Sequence, residues 1–334
     1  MPRRCLVHLA SGVGNVVLAT PLLVALDELG YAVDVCLDAD YPQTAGLLQP
    51  WSVVRAVHGG GLAALMRAMR ADGAATLRWD TIVPAVPPFY WRRYAPAYKA
   101  LKHSVGSGRI VPRPPDRLFA RDEQAFYLGF ARELGYPDDS RPLPQLPIGS
   151  CEAEDRVGVQ TVVLAPGCKT GTMTAKRWPH FEALAMRFAD VVVVGTADDL
   201  RHFDGRSMQF PAHVRSLVDR LSLRETAELM AASALVVGND SGLSHVAAAV
   251  GVATLMLFGP TDDACLGPLP PNVTVLRTGL PCEPCWRLSP LAACRRRIDC
   301  LAQLDVERVE RAARSLISLP GEENRDDHAG VRAF

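Results

Sequence analysis

The 334-residue sequence has no surplus of either charge, because Lys and Arg together number 36 and so do Asp and Glu. A neutral chain projects no broad attractive field toward a polyanion, so general nucleic-acid binding is not expected. Long apolar runs are also missing: the most apolar stretch, VAAAVGVATLMLF (246–258), falls short of the roughly 18 residues that a membrane span needs and carries Gly251 inside it. It reads as a buried helix, turn and strand. The amino-terminal MPRRCLVHLASGVG has an apolar core too short for a secretory signal, and the expected location is the cytoplasm. Several catalytic and cofactor signatures are absent as well. In PGCKTG, Cys168 rather than Gly precedes Lys169, so the segment is not a Walker loop. GVGNVV lacks the third glycine of the dinucleotide fingerprint, which weakens a nicotinamide reading. GNDSG is not the Gly-x-Ser-x-Gly elbow, so Ser241 is not expected to be a hydrolase nucleophile. No His-Glu-x-x-His is found.

What is present has the grammar of a parallel α/β protein. CLVHLA (5–10) has strand character, a glycine loop follows, VVLATPLLVALDEL (16–29) has helical periodicity with Gly30 as its stop, and YAVDVCL (31–37) is a second strand. Pro21 is compatible with a helix beginning near Val17, since first-turn amides have no intrahelical partner. GLAALMRAMRADG reads as helix and TIVPAV as strand. PPFYWRRYAPAYKALKH is neither a clean strand nor a clean core helix; it is either a partly exposed loop and helix or a rim for an anionic or sugar-bearing partner. Prolines 137, 142, 144 and 147 crowd a polar stretch expected to link two domains. Beyond it the pattern restarts: strand at TVVLAPG (161–167), helix at HFEALAMRFA, strand at VVVVG (191–195), helix at SLRETAELMAAS (222–233), strand at ALVVG, helix at SGLSHVAAAVG and strand at ATLMLFG. LDVERVERAARSLIS is the last expected helix. The expected division is 1–150, 151–320 and a mobile polar tail, 321–334.

Nine cysteines, an odd number, lie mostly in or beside apolar segments and suit a reduced chain. Cys282, Cys285, Cys294 and Cys300 are spaced C-x2-C-x8-C-x5-C, and are read either as ligands of a structural zinc or iron or as free or disulfide-linked thiols.

Two segments carry candidate chemistry. In GNDSGLSHVAAAVG (238–251), Asp240 or Ser241 can cap a helix that follows a strand, and Gly242 lets a ligand approach its free amides. An anion such as a phosphate suits that helix end, and His245, four residues after Ser241, can donate to it. The alternative is a capped core helix with a buried histidine. PGCKTGTMTAKRWP (166–179) is a hydroxyl-rich loop ending in two cations, Lys176 and Arg177, able to neutralise a diphosphate without a metal. Its alternative is an exposed basic turn.

Taken in order, GVGNVVLATPLLVAL, PG...KRWPHFEALA, VVVVG and SLRETAELMAASALVVGNDSGLSHVAAAVGVATLMLFGPT resemble the motifs of family 9 glycosyltransferases, the ADP-heptose heptosyltransferases of lipopolysaccharide biosynthesis. The resemblance is strong over about 160–262, fair over 5–35 and weak between 40 and 155. It implies a GT-B fold, in which two Rossmann-like α/β domains with parallel sheets face a cleft, and an inverting sugar transfer that needs no catalytic metal. It implies Lys176 on the donor diphosphate with Thr172 or Thr174, helix-terminal amides from Ser241 and Gly242, Asp240 on sugar hydroxyls and His245 toward the phosphate. Leu221, Ser222 and Leu223 would line the base pocket. Gly14, Gly167 and Gly195 would permit close approach. Relatives commonly have an aspartate, taken as the base, where this chain has Asn15, and an amide cannot accept a proton at neutral pH. Asp34, Asp38, Asp40 and His8 are the nearby ionisable candidates.

The expected activity is transfer of heptose or a related sugar from an ADP-sugar to a glycan, glycolipid or protein, with peripheral membrane contact through WRRY. The alternatives are a non-catalytic nucleotide-sugar-binding protein and a nucleotide-sugar epimerase of similar architecture.

Overall fold

The computed structural model describes residues 2–71, 79–104, 109–148, 157–169, 171–202, 204–285, 294 and 299–318. The expected domain junction at 150/151 and the tail 321–334 lie outside these residues. The first half runs β1 (Arg3–Leu9), α1 (Val13–Leu18), α2 (Thr20–Glu28), β2 (Tyr31–Leu37), α3 (Ala45–Leu48), β3 (Val54–His58), α4 (Gly61–Ala71), β4 (Thr81–Val83), α5 (Trp91–Ser104), β5 (Arg109–Ile110), α6 (Asp116–Phe119) and α7 (Glu123–Arg132). Its strands form one parallel sheet in the order β3-β2-β1-β4-β5, with Val7 of β1 level with Val35 on one side and Val83 on the other.

The second half repeats the plan with β6 (Val162–Ala165), α8 (Phe181–Ala185), β7 (Val191–Val193), β8 (Arg215–Ser216), α9 (Leu223–Ala231), β9 (Leu235–Asn239), α10 (Gly242–Ala249), β10 (Thr254–Leu257), β11 (Val273–Leu276), α11 (Asp299–Ala302) and α12 (Val306–Ser318). The second sheet, order β11-β10-β9-β6-β7-β8, is also parallel, with Leu164 level with Val237 and Val193. The central strands are continuous apolar runs because helices cover both faces, as buried parallel sheets require. In each half the sheet order reverses beside the first strand, which opens a crevice at the carboxyl ends of the strands.

Four expectations are revised. The helix expected over 16–29 is two helices: α1 starts earlier, at Val13, and ends at Leu18, while α2 takes Pro21 into its own first turn. The proline has no amide for a continuous helix, and the break lets the Thr20 hydroxyl donate to the Val17 carbonyl at 2.7 Å. The proline-rich stretch is no free linker over its described part. Its Gln145 amide donates to Thr20 Oγ1 at 3.1 Å, its Leu146 amide donates to the Ala249 carbonyl at 2.8 Å, and Leu146 and Ile148 are buried. It thus straps the first half to the second. The strand expected at TIVPAV ends at Val83, since Pro84 cannot extend the ladder, and the helix expected from HFEALAMRFA spans only Phe181–Ala185.

The aromatic, basic segment forms α5, with Pro96 inside it on an exposed face. Tyr94 and Tyr98 turn inward, Tyr98 meeting His8 Nδ1 at 2.6 Å, while Arg92, Arg93 and Lys99 face out.

Candidate functional site

The loop that leaves β6 is fixed by one buried amide. Asn239, at the end of β9, donates through Nδ2 to the Pro166 carbonyl at 2.6 Å and accepts through Oδ1 from the Trp178 amide at 2.9 Å. Both ends of the 166–178 loop are thereby held against the neighbouring strand, and the Trp178 indole donates to the Leu304 carbonyl at 2.8 Å. A turn of 3-10 helix, Gly171–Lys176, closes the loop and aims Lys176 at the end of β9. Its Nζ lies 2.9 Å from Asp240 Oδ2, and His245 Nε2 lies 3.4 Å from Asp240 Oδ1. Burial pushes the Asp240 carboxyl up, but the Lys176 charge and the His245 contact outweigh it and hold the group well below the usual carboxylate range. Asp240 therefore stays ionised at neutral pH.

Ser241 occupies the N-cap position of α10 in extended backbone conformation but makes no side-chain cap bond. The first-turn amides of α10 are not capped by that side chain, which suits them to an anionic ligand. Directly opposite stands the glycine loop of the first half. A Cβ on Gly14 would lie 3.1 Å from His245 Cδ2, and one on Gly242 would lie 2.9 Å from Val13 Cβ, so α1 and α10 approach through their glycines.

Asn15, in this contact, donates through Nδ2 to Glu123 Oε1. Glu123 is the first residue of α7 and is buried. Burial pushes its carboxyl up to about 7, against the lowering influence of the Asn15 and Tyr127 hydrogen bonds and of His245. The Glu123 position had no sequence signal: a glutamate beside a helix N-terminus is ordinarily a solvated partner of the helix dipole. Its neighbours are held as well: Asp122 pairs with Arg141 at 2.5 Å and caps α7, and Gln124 ties α7 to the second half by donating to the Pro268 carbonyl at 2.8 Å.

The acids considered from sequence are engaged elsewhere. Asp34 is fully buried beneath Arg4 at 3.2 Å, Arg55 and the Trp79 indole at 2.7 Å; burial raises its carboxyl, but the nearby His58 imidazole at 3.7 Å and the bonds from Arg55 and Trp79 draw it down to about 2. Asp38 accepts from the Tyr94 hydroxyl at 2.7 Å, and Asp40 is an exposed partner of Arg93 at 3.4 Å. Burial lowers His8 to about 4, and its Nδ1 is held by Tyr98. None of the four contacts Asn15 through a hydrogen bond, whereas Glu123 does.

Other expected site residues are placed as follows. Arg177 is buried and turns away from the loop's surface, donating to the carbonyls of Arg201 at 2.6 Å and Cys168 at 3.2 Å; it is a brace rather than a second phosphate cation. The space over Gly167 and Gly195 holds the Asp199 side chain, 2.2 Å and 2.9 Å from where their Cβ atoms would stand. Ser222 caps α9 with a reciprocal Glu225 bond, flanked by half-buried Leu221 and Leu223. Thr174 gives its carbonyl to the Arg177 amide at 3.0 Å, and the Thr172 side chain lies outside the described residues. Cys282 and Cys285 are exposed, Cys294 is half-buried and Cys300 is buried, all as free thiols. The Cys285 thiol is raised by burial and by nearby Cys294 and Cys282, yet among the described residues no three His, Cys, Asp or Glu side chains gather as a metal's ligand set.

A family model described as glycosyltransferase family 9 (heptosyltransferase) matches residues 118–293, more than half of the chain. The chain belongs to glycosyltransferase family 9. Within the family it is 34% identical over 122 residues to lipooligosaccharide heptosyltransferase 2 of Haemophilus influenzae, covering 34% of this chain and 35% of that protein. It is 36% identical over 124 residues to lipopolysaccharide heptosyltransferase 2 of Escherichia coli K12, covering 34% of each. The matched stretches thus span about a third of the length of these curated relatives. The solved structure of E. coli ADP-heptose lps heptosyltransferase II superposes with a TM-score of 0.68 at 21% identity, over 94% of this chain and 98% of that one. The fold of this family 9 chain is accordingly GT-B, with one parallel sheet in each half.

Proposed function

We propose that this family 9 protein is an inverting glycosyltransferase that moves heptose, or a related sugar, from an ADP-activated donor to a glycan, glycolipid or protein acceptor, a lipopolysaccharide core foremost among these. The observation that carries the reading is the Lys176, Asp240 and His245 array at the start of α10, set against the glycine loop of the other half. In this reading, 1–150 is the acceptor-side domain and 151–320 the donor-side domain.

The chemistry follows from the charges. Rupture of the anomeric bond places new negative charge on the leaving diphosphate, and a cation and helix-terminal amides fixed in advance lower that barrier electrostatically. Lys176, the α10 amides of Gly242 and its neighbours, and His245 supply those groups. Asp240, ionised and bound to Lys176, holds the ammonium in place and offers an acceptor to sugar hydroxyls. Thr174 and Gly14 border the phosphates in this reading, with Gly167 and Gly195 set back behind the Asp199 side chain, and Leu221, Ser222 and Leu223 border the base. No metal takes part in these steps. The four cysteines are a separate structural matter, tested by elemental analysis: zinc or iron near one equivalent supports a metal, and its absence leaves free thiols.

The same reading places the protein in the cytoplasm, at the membrane face where a lipid-linked acceptor is presented. Among the described residues no helix is long and apolar enough to cross a membrane, while Phe89 is 66% exposed beside the outward arginines of α5. Flotation with anionic liposomes checks that contact.

Incubation of ADP-heptose with candidate acceptors, following ADP release and product mass, tests the function. Acceptor-dependent ADP release with a product heavier by one sugar is expected. Donor binding without turnover would indicate a binding protein, the reading that Asn15 favours, and donor conversion without acceptor would indicate an epimerase.

A further inference from the structure

We propose that the Glu123 carboxylate is the general base that deprotonates the acceptor hydroxyl, with Asn15, standing where relatives carry an acid, as the residue that positions it. The inference rests on the transfer reading given above and names its missing acid-base group.

Three observations carry it. Glu123 comes from α7, yet its carboxylate reaches the junction of α1 and α10, where Asn15 Nδ2 donates to it. Its hydrogen-bond partner there is an amide rather than a cation, and the Tyr127 hydroxyl also favours the charged form, so its negative charge is oriented without being neutralised. It also feels both Asp240 and His245, which puts it within the electrostatic reach of the donor-side array. A carboxylate only 7% exposed, facing another carboxylate, is expensive to keep ionised, and such cost is ordinarily retained where a proton must be exchanged. Asp240 cannot share this task, since Lys176 holds it far below neutrality. The groups facing Glu123 are Asn15 from α1, Tyr127 from its own helix, His245 from α10 and Asp240 from the end of β9. Burial outweighs the hydrogen bonds among them and leaves a group that gains and loses its proton near pH 7, the range in which a base works most effectively.

The step balances as a single displacement. As the acceptor oxygen bonds to the anomeric carbon, its proton passes to a Glu123 oxygen. The bond from that carbon to the β-phosphate oxygen breaks, and its electron pair stays on the phosphate beside Lys176. Protonated Glu123 returns its proton to solvent once the product has left. Asn15 keeps one carboxylate oxygen occupied, which directs the other toward the acceptor.

The test compares wild type with Glu123→Gln, Glu123→Asp and the double variant Asn15→Asp/Glu123→Gln. ADP release is followed from about pH 5 to about pH 9, with ADP binding measured in parallel by calorimetry. Glu123→Gln is expected to lower kcat by roughly 100-fold or more, to leave ADP affinity unchanged, and to abolish the acid limb of kcat/KM. Restoring an acid at position 15 in the double variant should recover part of the rate with a shifted limb, an outcome that a merely structural role would not produce. Should Glu123→Gln fail to fold, Glu123→Asp carries the test through a lowered kcat, a little-changed KM and a moved limb. A Glu123→Gln variant that keeps its rate and its acid limb overturns the base assignment while leaving the transfer reading intact. A wild type that binds ADP-heptose and releases no ADP overturns the transfer reading, and the base with it.

Discussion

Lys176 Nζ lies 2.9 Å from Asp240 Oδ2, with the two side chains only 15% and 8% exposed, although 64 residues separate them. The ammonium proposed to meet the donor diphosphate is therefore held by the acid that precedes the α10 cap. Removing it should weaken ADP-sugar affinity through loss of a charge-assisted contact, by about 2 kcal/mol or some 30-fold. Calorimetry on Lys176→Ala checks this, and unchanged affinity would count against the assignment. The same variant should unfold more easily at neutral pH, because Asp240 is left as a buried charge without its partner.

Asn239 is expected to matter for stability and for Lys176 alike. Asn239→Leu keeps the branched heavy-atom shape but strips partners from the Pro166 carbonyl and the Trp178 amide, each costing about 1–3 kcal/mol when buried. Urea unfolding should show a midpoint lowered accordingly. ADP affinity should fall too, since the loop that carries Lys176 is no longer pinned at both ends.

The contact between α1 and α10 admits no side chain at Gly242. Gly242→Ala places a methyl 2.9 Å from Val13 Cβ, which should destabilise the protein by about 1–3 kcal/mol and reduce turnover by pushing the two loops apart. Val13→Gly should relieve the clash, so the double variant is expected to regain most of the lost turnover. A double-mutant cycle with no coupling would show that the loops do not need this approach.

Stability should depend on pH through Glu123. The unfolded carboxyl loses its proton near the ordinary glutamate value of 4.5, whereas the folded one keeps it up to about 7, so the native state binds the extra proton between these limits. Native stability should consequently decline as pH rises through that window and level off above it, by up to about 3 kcal/mol from this group. Thermal melts of wild type and Glu123→Gln at pH 5 and pH 8, on either side of the window, isolate the effect. The variant should gain stability relative to wild type at the higher pH.

Asp34 should act in the opposite sense. Its folded carboxyl, drawn down to about 2 from the ordinary 3.8, contributes stability above the ordinary value that is lost as pH falls toward 2. Asp34→Asn is expected to flatten this acid limb and to leave ADP binding unchanged, because its partners Arg4, Arg55 and Trp79 lie in the first half and away from the Lys176 loop.

What the sequence determined by itself was local in origin. Apolar runs of strand length, glycine stops and the Ser222 capping box depend on residues within a few positions of one another, so the alternation of strands and helices could be read at the start of the first half and through the centre of the second, while elements such as β3, α7 and β11 carried no clear local signal. The residues proposed for the donor side are equally local in sequence, since Asp240, Ser241, Gly242 and His245 are consecutive or one helical turn apart, and Lys176 ends a recognisable loop. Tertiary structure decided which way side chains turned and which distant segments met. It sent Arg177 inward while Lys176 reached Asp240, although the two cations are adjacent in sequence. It turned the proline-rich stretch into a strap between α2 and α10. It also brought Glu123 to Asn15 across 108 residues of chain, while the nearer acids went to Arg4, Arg55, Tyr94 and Arg93. Such pairings depend on how whole helices pack, and a packing free energy summed over distant surfaces leaves no periodicity or spacing in the sequence from which it could be read.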